Sequence, residues 1–453
     1  MLPDDEPPRR PAAPRTRHYT LACPGCGRRQ EDDGLALRCA ADHEPALLQT
    51  DYAEQAFDPD RAEPGLFRYR KWLPVVQTEP GAGRTAVYRS HGLGRFLGLP
   101  SLWIAFNGYW PERGAFLETA TFKELEAHAV LGRMAGPSPV LTVASSGNTG
   151  AAFAWACSQQ GLPCVLVVPQ KSLWRFSFPG ELDPCVRLVS IAGGEYPDAI
   201  ALAAEVARMR PFQPEGGVMN VARRDGLATV LLAAFEEMRE LPSHYFQAVG
   251  SGTGAIAVHE AAKRLRSAAP ELSLPRLVLC QNKPFTPIFD AWQTKKRSPP
   301  SRAGERFRSA ISEVYADELT NWAPPYSVIG GVYDCLRESG GDVMVADNQS
   351  VHAAMSLFRE VEGIDIEPAA AVALACLCRA AREHKIGPSD VVLLNITGGG
   401  RRRAEREQHR IAAVPTLRIT RESESRAASA DQVAALCASE TGASEPCASK
   451  TMA

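Results

Sequence analysis

Residues 245–266, YFQAVGSGTGAIAVHEAAKRLR, read as an apolar strand, a glycine turn and a helix in immediate succession. The same grammar recurs on both sides of this stretch. VLTVA (140–144) runs through SSGNTG into a helix from Thr149 to Gln160, and CVLVVP (164–169) follows. VRLVS (186–190) precedes a helix around Asp198 to Met209. After the opening stretch come RLVLC (276–280) and VVLLNIT (391–397), the latter ending in a run of glycines. Strands alternating with helices predict an α/β fold, with parallel sheets covered on both faces. In such sheets ligands bind beyond the carboxyl ends of the strands, which is where the glycine turns fall.

The chain has 453 residues, 45% of them hydrophobic and 23% charged, with a formal net charge of -2. That length predicts two domains with appendages. The charge balance offers no global field to draw the protein to nucleic acid or an anionic membrane. Apolar runs are strand-sized and the N-terminus lacks a secretory pattern, so a cytoplasmic protein is expected. Residues 1–18, rich in Pro and Arg, are expected to be disordered. Residues 416–453, rich in Ala, Ser, Glu and Thr, are expected to form a flexible tail, with a short helix conceivable at DQVAALCA. Of the 12 cysteines, Cys157, Cys164, Cys280, Cys376 and Cys378 lie in apolar stretches and read as buried hydrophobes.

Three turns and one lysine carry the chemistry. Gly250-Ser251-Gly252-Thr253-Gly254 offers a nest of backbone N–H groups at a helix start, which suits a phosphate monoester. It matches neither a dinucleotide fingerprint nor a P-loop. Ser145-Ser146-Gly147-Asn148-Thr149-Gly150 reads either as a tight connection or as a second anion site, with the Asn148 amide able to bond a ring hydroxyl. Thr397-Gly398-Gly399-Gly400 presents a hydroxyl at the end of a strand, or is only a sheet-edge loop. Lys123 stands in ETATFKELEA (118–127), after a threonine and an aromatic residue at a helix start.

TFKELEA, SSGNTG, GSGTG and ITGGG occur in the order and spacing of the fold-type II pyridoxal-phosphate enzymes, and the chain resembles that family over residues 20–405. The CPGCG segment and GLFRYRKWLP (65–74) point to its threonine synthase branch. FNGYWPERGAFLETATFKELEA is most similar to the cysteate synthases, and TFKELE departs from the SFKDR usual in threonine synthase. The resemblance implies a large cofactor-binding domain (51–125 and 236–415), a small domain (126–235), and pyridoxal 5'-phosphate in the cleft between them. It makes Lys123 the Schiff-base lysine. Asn148 would meet the phenolic oxygen, residues 250–254 the phosphate and Thr397 the pyridine nitrogen. A neutral hydroxyl at that nitrogen favours α,β-elimination over transamination.

The implied activity is β-replacement on O-phosphoserine by sulfite, through an aminoacrylate. Threonine formation from O-phosphohomoserine is the rival, and another nucleophile a third option. Ser145, Ser146 and Thr149 would hold the substrate carboxylate. Arg113, Lys171 and Arg175 are candidate phosphate donors, and a homodimer is expected. Separately, Cys23-x2-Cys26 followed by Cys39 and His43, within a Cys-rich knuckle at 19–50, is spaced like a zinc ribbon short of one cysteine. His43 would complete a tetrahedral zinc site, or the knuckle is a metal-free remnant.

Overall fold

The computed structural model describes residues 17–79, 81–134, 139–298, 310–421 and 425–438. Two sheets organise it. The smaller has five strands, all parallel, in the order Phe212–Pro214, Val140–Ala144, Cys164–Pro169, Val186–Ala192 and Leu417–Thr420. Its centre strand, CVLVVP, is buried at every position, as a parallel strand covered on both faces must be. The larger has six strands, in the order Asp342–Ala346, Arg276–Asn282, His244–Ala248, Val392–Ile396, Leu102–Phe106 and Ala86–Arg89. Only its last pair is antiparallel. The chain is therefore α/β, and every strand expected from the sequence is present. A third, three-stranded antiparallel sheet lies in the Cys-rich N-terminal segment.

Four helices carry the functional turns or pack against them: Lys123–Arg133, Asn148–Gln160, Val221–Met238 and Thr253–Ala268. The 221–238 helix is buried along almost its whole length. At Gly226 an added Cβ would stand 2.4 Å from the carbonyl oxygen of Leu125. Only glycine admits the lysine helix this close, and the contact fixes the height of Lys123 above the sheet.

Residues 1–16 and 439–453 lie outside the described residues, so the expected disorder of the N-terminal arm concerns almost wholly those. The expected flexible tail differs from the structure over 417–421 and 426–438. Leu417–Thr420 joins the small sheet, pairing Ile419 with Ile191. Helix Arg426–Ala438 then packs Ala430, Val433, Ala434 and Cys437 into the cluster holding Leu202 and Val206. Those four recur at i, i+3, i+4 and i+7, but small side chains make the stripe weak in sequence. Among the described residues no helix is long and apolar enough to cross a membrane.

The N-terminal segment is tied to the lysine helix by one ion pair. Arg133, at that helix's last turn, donates from Nε and Nη2 to both oxygens of Asp32 at 2.8 and 2.7 Å, with neither side chain exposed. Burial alone would raise the Asp32 carboxyl; the bonds and charge of Arg133 outweigh it and hold the group below the usual aspartate range. Its stabilisation is thus complete above the unfolded pKa and lost as pH falls through the depressed folded value. Asp32→Asn should lower stability at pH 7 by about 3 kcal/mol, and in denaturant titrations the gap to wild type should hold down to about pH 4 and narrow only below it. Equal midpoints at pH 7 would show that the pair contributes nothing.

Candidate active site

The carboxyl ends of the strands bring the turns together. The 250–254 turn follows His244–Ala248, and the 397–400 run follows its sheet neighbour Val392–Ile396. The lysine segment is stitched to that run: Phe122 N–H donates to the Thr397 carbonyl at 3.0 Å, and Gly399 N–H donates to Ala120 at 3.0 Å. Between those bonds Ala120 sits in the left-handed region (φ 59°), a conformation an alanine keeps only where its surroundings enforce it. Lys123 then starts its helix facing a cavity. That cavity is lined by Lys123, residues 145–149, residues 250–254 and Thr397, with Tyr196, Arg223 and Glu318 among the others.

The 250–254 turn is built as an anion cup. Gly252 has φ +81° and caps the Thr253–Ala268 helix, whose first residues, Thr253 and Gly254, line the cavity; the Thr253 N–H donates to Ser251 Oγ at 3.3 Å. The Ser251 and Thr253 hydroxyls are 2.8 Å apart at its lip. A Cβ at Gly252 would lie 2.5 Å from Val332 Cγ2, so this glycine serves the turn's backbone and packing as well as ligand access.

The cavity's opposite wall is a chain of charges. Lys123 Nζ donates to Glu126 Oε2 at 3.0 Å. Arg223 Nη2 lies 2.8 Å from the other Glu126 oxygen, and the Thr149 hydroxyl donates to that same oxygen at 3.2 Å. Arg223 also pairs with Glu215. Burial pulls the Lys123 amine below its ordinary value; Glu126 pushes it back up and Arg223 pulls it down again. Burial opposes the charge on Arg223 too, but Glu126 and Glu215 together raise it. Lys123 is therefore an amine that burial holds below the ordinary lysine range, paired with one fully buried carboxylate.

Asn148, at the first turn of its helix, donates to Glu367 Oε2 at 2.7 Å, and Arg401 Nη2 donates to Glu367 Oε1 at 2.7 Å and to Asn148 Oδ1 at 3.5 Å. Glu318 lines the cavity with one oxygen lacking a partner, and burial, then Glu367 and Asp317, push its carboxyl up to about 7. Of the proposed phosphate donors, Arg113 instead stacks over Tyr88 (4.2 Å) and Trp110 (5.2 Å). Lys171 pairs with Glu195 at the exposed surface. Neither lines the cavity. Arg175 stands beside it, donating from Nη2 to both Asp317 oxygens at 2.7 Å and from Nη1 to the Ser146 carbonyl at 3.1 Å, so it joins two lining segments. Among the described residues, the lining cations are Lys123 and Arg223. Sequence reasoning missed Arg223, because VARRD reads as a solvated helix start.

A second polar cavity lies between Gln49–Tyr52 and the outer face of the Thr253–Ala268 helix. Its glycine, Gly330 (φ 79°), lies in a turn, and most of its charges are paired: His259 and Lys263 with Glu338, Arg264 with Asp225, and Arg297 with Asp334.

Removing Arg223 would leave two carboxylates, Glu126 fully buried and Glu215 nearly so, without their shared cation. Arg223→Ala should cost about 3–5 kcal/mol in chemical denaturation, where a surface arginine costs under about 1. A loss within that surface range would show that Arg223 does not hold the pair.

Residues 78–398 match the family described as pyridoxal-phosphate dependent enzyme. The cysteate synthase of Methanosarcina barkeri is 41% identical over 396 residues, 86% of this chain and 94% of that protein. The cysteate synthase of Methanosphaerula palustris is 45% identical over 401 residues, 88% of this chain and 93% of that protein. In fold, the chain is similar to diaminopropionate ammonia lyase from Escherichia coli (TM-score 0.56, 16% identity, 75% of this chain and 89% of that one). It is also similar to maize serine racemase (TM-score 0.53, 18% identity, 70% and 88%). The residues present suit the cofactor: a primary amine on one wall, an anion cup at a helix start, and an amide and a hydroxyl on the walls between. The chain belongs to the fold-type II pyridoxal-phosphate-dependent enzymes, and within them to the cysteate synthase family.

Proposed function

We propose that the protein makes L-cysteate from O-phospho-L-serine and sulfite, releasing phosphate. The observation that carries this reading is the 41–45% identity to cysteate synthases over more than nine-tenths of their length. The bound cofactor supplies an electron sink for a carbanion at the amino acid's Cα. Lys123 would hold it through its amine, and the same amine in its neutral form would take the Cα proton. Burial favours that neutral form, and Glu126 keeps the ammonium form accessible for returning the proton. Asn148 would meet the cofactor's phenolic oxygen, the 250–254 cup would hold its phosphate and Thr397 would meet its ring nitrogen. The substrate carboxylate sits at the N-terminus of the Asn148–Gln160 helix, met by Ser145, Ser146 and Thr149.

At Cβ the C–O bond to phosphate breaks and a C–S bond to sulfite forms, with no net change of oxidation state at the cofactor. Both exchanged groups are anions, and Arg223 is the lining cation placed to favour them once Lys123 is engaged. Glu318, near its titration midpoint at neutral pH, can hold a proton for the departing phosphate. Arg175 positions rather than binds: it ties the 145–149 turn to the Asp317 segment.

The assay is product analysis with O-phosphoserine and O-phosphohomoserine, each with and without sulfite. Cysteate and stoichiometric phosphate should appear from O-phosphoserine only when sulfite is present. Threonine from O-phosphohomoserine as the faster reaction would overturn the substrate while leaving the cofactor assignment intact. A longer substrate by one methylene is disfavoured by only about 1–3 kcal/mol, so slow side activity fits the reading.

A further inference from the structure

Away from the cavity, four side chains of the N-terminal knuckle converge without any role in the chemistry above. Cys23 and Cys26 lie on a tight turn closed by a Gly27 N–H bond to the Cys23 carbonyl at 2.8 Å. Cys39 and His43 come from the facing loop. One ligand atom from each lies within 4.8 Å of all the others. The Cys26 and Cys39 sulfurs are 3.7 Å apart, and Cys23 Sγ is 3.3 Å from His43 Nε2. Around a tetrahedral zinc, with Zn–S about 2.3 Å and Zn–N about 2.0–2.1 Å, those edges are about 3.8 and 3.5 Å. A disulfide needs about 2.05 Å, and the three cysteines are free.

The surroundings are those of a metal knuckle. His43 Nδ1 is 2.6 Å from the Glu44 carbonyl, which only accepts, so Nδ1 carries the proton and the Nε2 lone pair faces Cys23. Ala41 N–H points at the Cys39 sulfur at 3.4 Å, the kind of donor that steadies a thiolate ligand. Three sulfurs and one imidazole select zinc over the oxygen-seeking calcium and magnesium, and four protein ligands leave no open position for substrate.

We propose that Cys23, Cys26, Cys39 and His43 bind one structural zinc ion. The sequence raised the site but left the fourth ligand open; the position of His43 supplies it. The loop closed by the metal carries Asp32, the partner of Arg133 on the lysine helix. Just beyond His43, Leu47 N–H donates to Ile329 at 2.9 Å, and Ile329 N–H donates to Pro45 at 3.2 Å. Zinc therefore holds in shape the segment that clamps the lysine helix from below, and takes no part in the reaction.

The test uses untagged, full-length holoenzyme. Elemental analysis should find about one zinc per chain that survives dialysis. Release of that zinc by a chelator should expose new thiols to a colorimetric thiol reagent in step with the metal. Protein grown on cobalt should show the strong visible bands and near-ultraviolet thiolate charge transfer of a tetrahedral site. Cys26→Ser and His43→Ala should lose the metal and melt at lower temperature while retaining bound cofactor. Zinc-free wild-type protein, a different stoichiometric metal, or zinc that persists in both variants would overturn the proposal. The wild-type measurements decide it even if the variants fail to fold.

Discussion

Glu126 is a carboxylate with no exposure at all, and such a group is tolerated only when cations and donors surround it. Its two oxygens are shared by Lys123 on its own helix, Thr149 on the Asn148–Gln160 helix and Arg223 on the Val221–Met238 helix. Three elements are thereby held at one point beside the cavity. The same contact bears on Lys123: burial holds its amine below the ordinary lysine range, and Glu126 offsets part of that shift. Packing and reactivity meet in this one group: displacing the Val221–Met238 helix would take away one of its two cations, and displacing the Asn148–Gln160 helix one of its hydrogen bonds.

The sheets explain why those helices arrive together. Each functional turn ends a parallel strand, and each strand delivers a helix N-terminus toward the same space. The lysine segment has no strand of its own to fix it. It is held instead by backbone bonds from Phe122 to Thr397 and from Gly399 to Ala120, and by the helix contact that Gly226 permits. From below, Arg133 and Asp32 couple it to the N-terminal segment. The reactive amine thus depends on contacts from the whole length of the chain, including a region far from the chemistry.

Much of this was legible before any coordinates. Strands such as CVLVVP, buried on both faces, announce themselves as continuous apolar runs, and glycine turns between strand and helix mark the site. What sequence hid has physical causes. The Val221–Met238 helix is buried all round, so it has no polar face to give it a period, and Arg223 within it looked solvated. Arg113 and Lys171 have the right charge and stand near the right motifs, but one spends its guanidinium on two aromatic faces and the other on Glu195. Leu417–Thr420 is a four-residue edge strand whose single well-buried side chain, Ile419, is too little to read as a pattern.

The central claim is that this cavity holds pyridoxal phosphate through Lys123. The most direct measurement is reduction of the purified yellow protein with borohydride, followed by peptide mapping of the fixed cofactor. The account predicts a single modified peptide containing Lys123, absent from Lys123→Ala protein. Cofactor fixed to any other lysine would contradict it.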